Sequence, residues 1–187
     1  IIIGISVIAE NSEAKLIAHY TFDDAENLGA DSEKSHELAI NTSTKVVSSD
    51  DNGYSGKAVH IGAYNGYDTH LYTDDILESK TDFTVSAFAK LDIGVVNDNH
   101  TIFSNGWQNS GGFSFGFSGC EWMYICADVV GGDWIAFNLK QVTNNSDFSA
   151  YDWHNYVLSL EKGTILNVYI DGVQVFAQNF AEKLNTT

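Results

Sequence analysis

Residues Asp152 to Gln178, DWHNYVLSLEKGTILNVYIDGVQVFAQ, spell out three strands and the two turns between them. Tyr156, Leu158 and Leu160 alternate with Val157 and Ser159, and Leu166, Val168 and Ile170 alternate with Asn167 and Tyr169. A period of two sends one row of side chains into a core. Glu161-Lys162-Gly163 supplies a glycine where a short hairpin loop needs positive φ, and Asp171-Gly172 suits a two-residue type I′ turn. The stretch reads as an antiparallel meander and the chain as an all-β protein.

The same period extends outward from it. In Asp82 to Asp92 the residues Phe83, Val85, Ala87, Ala89 and Leu91 share one face, while Thr84, Ser86, Phe88 and Lys90 share the other. That second face is mixed, as in a strand whose outer side is partly exposed or lines a groove. Leu16 to Asp24 reads as a first strand ending in two aspartates, Gly56 to Gly62 as another, and four short strands follow from Thr101 to Leu139. Residues 25–56 are mostly polar loop, with a short strand at Lys45 to Ser48. No helix longer than a turn or two is required.

At 187 residues the chain fits one domain with a substantial core. Sixteen glycines and no proline mean that its turns rely on Gly, Asn and Asp. Nine Lys plus Arg against 25 Asp plus Glu leave a formal charge of -16, which repels a phosphate backbone and an anionic membrane surface while favouring divalent cations such as calcium. Nucleic acid is therefore not an expected partner. The opening run IIIGISVIA is too short for a membrane-spanning helix, which needs about 20 residues. It reads as the remnant of a secretory signal, or as a linker or strand of a preceding module. Cys120 and Cys126 are read as free or buried thiols, because a regular hairpin does not bring such a pair into bonding geometry.

Four segments in order, AHYTFDD (18–24), GYSGKAVHIG (53–62), DFTVSAFAKL (82–91) and DWHNYVLSLEKGTILNVYIDGVQV (152–175), resemble the laminin G-like and concanavalin A-like lectin/glucanase jelly-roll superfamily. The resemblance implies a two-sheet antiparallel β-sandwich, with six or seven strands per sheet and with Trp153 and His154 opening a core strand. Phe88 stands where that pattern more usually has tryptophan. Family members continue into a further strand or two, so the resemblance implies that residues 15–187 form a sandwich truncated at its C-terminus, with residues 1–14 ahead of it. The vacated sheet position would be empty or borrowed, and an unpaired edge of that kind favours pairing with another chain.

Many proteins of this fold hydrolyse glycans with paired carboxylates alternating on one strand. No such strand is present here, and the pairs Asp23-Asp24, Asp50-Asp51 and Asp74-Asp75 fall at strand ends or in loops. Ser49, Asp51 and Gly53 match part of a sialidase Asp-box, without its Trp. The expectation is a noncatalytic module. The resemblance implies a structural calcium ion where the first strand ends, at Asp23 and Asp24 with Asp31 joining them; the alternative is a solvated loop with an aspartate turn.

Sugar rings present apolar C–H faces and hydroxyl edges, so a binding site needs an aromatic platform flanked by amides or carboxylates. Trp107, in a loop with Asn105, Gln108 and Asn109, is the first candidate. Trp122, Tyr124 and Trp134 follow, and Tyr64 and Tyr67 flanking Asn65-Gly66 form a second possible platform. Trp153 and His154 are assigned to the scaffold. The expected function is that of an extracellular or cell-surface carbohydrate-binding module. Its partners would be a glycan or polysaccharide and the other domains of a larger parent, for which a glycan-degrading enzyme is one expectation. The alternatives are a protein-binding or structural adhesin module and a divergent glycoside hydrolase.

Overall fold

The computed structural model describes the backbone of residues 2–11, 13–40, 47–50, 52–62, 70–73, 77, 82–92, 99–104, 113–127 and 133–180. The side chains described are those of the same residues other than 2–14, 40, 47–50, 113, 127, 133 and 134.

The elements in chain order are β1 (Ile2–Asn11), β2 (Glu13–Tyr20), β3 (Ala39–Ile40), β4 (Val47–Asp50), β5 (Ala58–Ile61), β6 (Leu71–Tyr72), β7 (Phe83–Lys90) and β8 (Asn99–Ser104). They continue with β9 (Phe113–Ser118), β10 (Trp122–Ala127), β11 (Asp133–Asn138), the one-turn helix α1 (Leu139–Val142), β12 (His154–Glu161), β13 (Ile165–Ile170) and β14 (Val173–Asn179). An eight-stranded sheet runs β14-β13-β12-β7-β1-β5-β4, with β2 also paired to β1, and faces a four-stranded sheet β11-β10-β9-β8. β3 and β6 form a separate pair. The all-β antiparallel sandwich is as expected, although the described strands divide eight against four rather than evenly.

The meander stands as its sequence dictates. Tyr156, Leu158 and Leu160 of β12 and Leu166, Val168 and Ile170 of β13 are buried, and β7 buries Phe83, Val85, Ala87 and Ala89 on the same side. Asp171 and Gly172 both hold positive φ, 50° and 79°, which is the type I′ geometry. Ile2–Asn11, expected ahead of the domain as a leader remnant or linker, instead lies within the large sheet. It pairs with β7 over most of its length, from Ile2 opposite Lys90 to Ala9 opposite Phe83. An apolar run rich in isoleucine and valine fits an interior strand better than a solvated linker.

Two aromatic contacts join the sheets. Phe117 of β9 meets Tyr156 of β12 edge to face at 5.1 Å, and Phe137 of β11 stacks on Phe176 of β14 at 5.6 Å. The Tyr156 hydroxyl is buried and finds no hydrogen-bond partner among the described residues. Burial first, and then the charge of Asp171, hold its ionisation far above the ordinary tyrosine value. An unpaired buried hydroxyl costs about 1–3 kcal/mol. Tyr156→Phe is accordingly expected to keep or raise the melting temperature by thermal denaturation, and a clear fall would reveal a partner for that hydroxyl.

Candidate functional site

The outward face of the large sheet gathers the polar and aromatic residues that the strand period keeps out of the core. Register sets Asn155 opposite Phe88, Val157 opposite Ser86 and Ser159 opposite Thr84. Across the strands, Asn155 Nδ2 donates to Ser86 Oγ at 3.0 Å and Thr84 Oγ1 to Ser159 Oγ at 3.3 Å. Farther along, Gln174 Nε2 donates to Asn167 Oδ1 at 2.9 Å. These bonds fix the orientation of amides and hydroxyls that would otherwise rotate freely.

Aromatic rings stand at one end of this face. Tyr54 is 59% exposed and lies parallel to Phe88, with centroids 4.1 Å apart and planes 11° from parallel. Trp153 continues the β12 row beside them, with Lys90 Nζ 5.2 Å from its ring centre. Gly4 of β1 is the register partner of Phe88 and carries no side chain to cover that ring.

Asp23 secures the loop that carries Tyr54. Its Oδ1 accepts from Lys57 N at 3.0 Å, and a Cβ on Gly56 would come within 2.5 Å of that oxygen. Gly56 also holds φ +76, so glycine is required there on both counts. Asp24 closes a local turn, its Oδ1 accepting from Glu26 N at 2.9 Å and Asn27 N at 3.2 Å. Asp31, 4% exposed, spends both oxygens on the backbone: Oδ1 accepts from His19 N and Glu33 N, Oδ2 from Ser35 N and His36 N. Burial pushes its carboxyl up, but the four N–H donors prevail and hold it below the ordinary value. Among the described residues no group of three or more His, Cys, Asp or Glu side chains could hold a metal ion. Asp23, Asp24 and Asp31 thus bond to three separate backbone segments, and the described residues do not gather them into one ligand set.

The expected sugar contacts fare unevenly. Asn105, Trp107 and Gln108 lie outside the described residues, as do Asn109, Tyr64 and Tyr67. Trp122, on β10, is 45% exposed. Trp134 pairs in register with Cys126, and its side chain is outside the described set. Tyr124 is not a platform, because it is fully buried. Its neighbour on β9 is Gly116, with Thr101 of β8 beyond, and the Tyr124 and Thr101 hydroxyls share a 2.6 Å hydrogen bond across that glycine. Burial pushes the Tyr124 hydroxyl up.

Trp153, read as scaffold, faces outward. His154 beside it points the other way: Nδ1 lies 2.7 Å from Asp171 Oδ2 and Nε2 3.2 Å from the Ser149 carbonyl, with the ring stacked on Phe148 at 4.2 Å. The alternation of β7 and β12 already separates Phe88, Trp153 and Asn155 from the core. Tyr54 carries no such local signal.

A family model described as the concanavalin A-like lectin/glucanases superfamily, Laminin_G_3, matches residues 65–187, which include β7 and β12. No curated protein and no solved structure matches the chain. With well over half its length matched, and with the meander and facing sheets in place, the chain belongs to the concanavalin A-like lectin/glucanases superfamily.

Proposed function

We propose that this domain is a noncatalytic carbohydrate-binding module that seats a glycan on the outward face of the large sheet, against Tyr54, Phe88 and Trp153. The observation that carries this reading is exposed Tyr54 stacked on half-buried Phe88, whose register partner is Asn155, with Trp153 two residues along the same row. The rings offer a flat apolar surface to sugar C–H groups, and the amides and hydroxyls held across β7 and β12 meet sugar hydroxyls without first having to be ordered. The sequence carries no strand with alternating paired carboxylates, which supports binding without hydrolysis. The module works outside the cell or at its surface, joined to other domains of a larger protein, a placement that rests on family likeness.

A glycan array probed with the domain is expected to show binding to a defined set of polysaccharides. Tyr54→Ala and Trp153→Ala should each weaken that binding by about tenfold or more, the scale of losing one aromatic anchor, while Trp122→Ala leaves it unchanged. A domain that binds no glycan, or binds equally well without both rings, sinks the reading.

A further inference from the structure

The loop from Asp31 to Glu37 is held far more firmly than its lack of regular structure implies. Besides the four N–H groups that the Asp31 carboxylate collects, the buried Tyr20 hydroxyl donates to the His36 carbonyl and Ser35 Oγ donates to Ile17 O at 3.3 Å. Lys34 N donates to Asp31 O at 2.9 Å, yet Lys34 itself stands at φ +58, a left-handed conformation that a lysine adopts only when its surroundings impose it. Facing this loop is Tyr72 of β6, 53% exposed. Its register partner is Ala39, whose methyl leaves the ring open, and His70 meets it edge-on at 5.9 Å. Loop and strand flank an open, shallow groove of about 360 Å³ lined by Lys34, Ser35, His36, Glu37, Tyr72 and Thr73. It shares no residue with the face that carries Tyr54 and Trp153.

We propose that this groove is a second sugar subsite, taking one neutral hexopyranose against the Tyr72 ring, so that the domain holds a polysaccharide at two separate places. The proposal rests on the glycan-binding reading above and adds a second point of contact to it. The volume lies at the small end of ligand sites, about 300–1,000 Å³, which suits a single sugar ring. Lys34 supplies donors, Glu37 acceptors, Ser35 an acceptor because its hydroxyl proton is spent on Ile17 O, and Thr73 and His36 either, the mixture that neighbouring sugar hydroxyls require. The ligand is neutral because Lys34 and Glu37 offset one another and a chain of formal charge -16 repels a polyanion. Since the loop is already fixed in the free protein, little ordering remains to be done on binding.

Amide-resolved NMR titration of the whole chain with cellotriose, laminaritriose, xylotriose and mannotriose tests this. The expected result is that at least one trisaccharide shifts two groups of resonances, one around Trp153 and Asn155 and one around Ser35, His36 and Tyr72. Tyr72→Ala should abolish the second group and spare the first; Trp153→Ala should do the reverse. On the insoluble polysaccharide of the same linkage, either variant should be retained at least about tenfold less well than the parent, because linked sites multiply. Shifts confined to the large sheet overturn the second subsite and leave the binding reading standing. Shifts confined to the groove overturn the large-sheet site and with it binding at two places, leaving the groove as the sugar site. The absence of any shift overturns both, and a stronger response of the groove to trigalacturonate than to every neutral sugar overturns its neutral specificity.

Discussion

Asp31→Ala is expected to destabilise the domain by about 3 kcal/mol, because hydrogen bonds to a charged group are worth about 1.5–3 kcal/mol each and solvent can rescue some of the four released N–H groups. For a chain of this length that is a fall in melting temperature of roughly 6–12 °C. Asp31→Asn should fare little better. Its amide keeps one oxygen for two of the donors and turns an NH₂ toward the other two.

The effect also has a definite pH dependence. Asp31 has a folded-state pKa below its ordinary value, so its contribution is complete above the unfolded value of about 3.9 and is lost as pH falls through the folded value. The gap in melting temperature between wild type and Asp31→Ala, wide at pH 7, should therefore narrow as pH falls below about 4. Calorimetric scans across that range decide the matter. A gap that stays constant would mean that the carboxylate charge is not what holds the loop.

Phe117→Ala is expected to cost about 3–5 kcal/mol, the usual loss for truncating a buried aromatic ring, or roughly 6–20 °C in melting temperature. Phe117 is fully buried, and its perpendicular contact with Tyr156 is one of the aromatic bridges between the sheets seen among the described residues. Truncation removes both the buried area and the edge-to-face attraction, and rigid strands on either side limit how far the cavity can close. Phe117→Leu should fall between the two, since it refills part of the space without the ring. Urea unfolding should show the same order, and a loss below about 1 kcal/mol for Phe117→Ala would mean that the sheets are clamped elsewhere.

The meander from β12 to β14, the alternation of β7 and the all-β class are legible in the sequence because period and turn chemistry are local properties. β1 is not, because a uniformly apolar run carries no period, and its partner β7 lies far along the chain. The site divides along the same line. The face holding Phe88 and Asn155 follows from alternation, whereas Tyr54 comes from a loop tied down by the Asp23–Lys57 hydrogen bond, which no spacing announces. Asp31 reads as a metal ligand because a loop aspartate looks alike whether it faces a cation or a ring of amides. Tyr124 shares its strand parity with exposed Trp122, yet it is buried beside Gly116, which carries no side chain, with its hydroxyl bonded to Thr101.

The cross-strand bonds on the outward face also limit how this surface can diversify. Asn155 answers Ser86, Ser159 answers Thr84, and Gln174 answers Asn167, so a change in any one strands a donor or acceptor on the neighbouring strand. For the glycan-binding role proposed above, preference would drift by paired substitutions, β7 with β12 and β13 with β14. Tyr54, exposed and absent from these pairs, is the position where a single change would retune the proposed recognition while the sheet beneath stays intact.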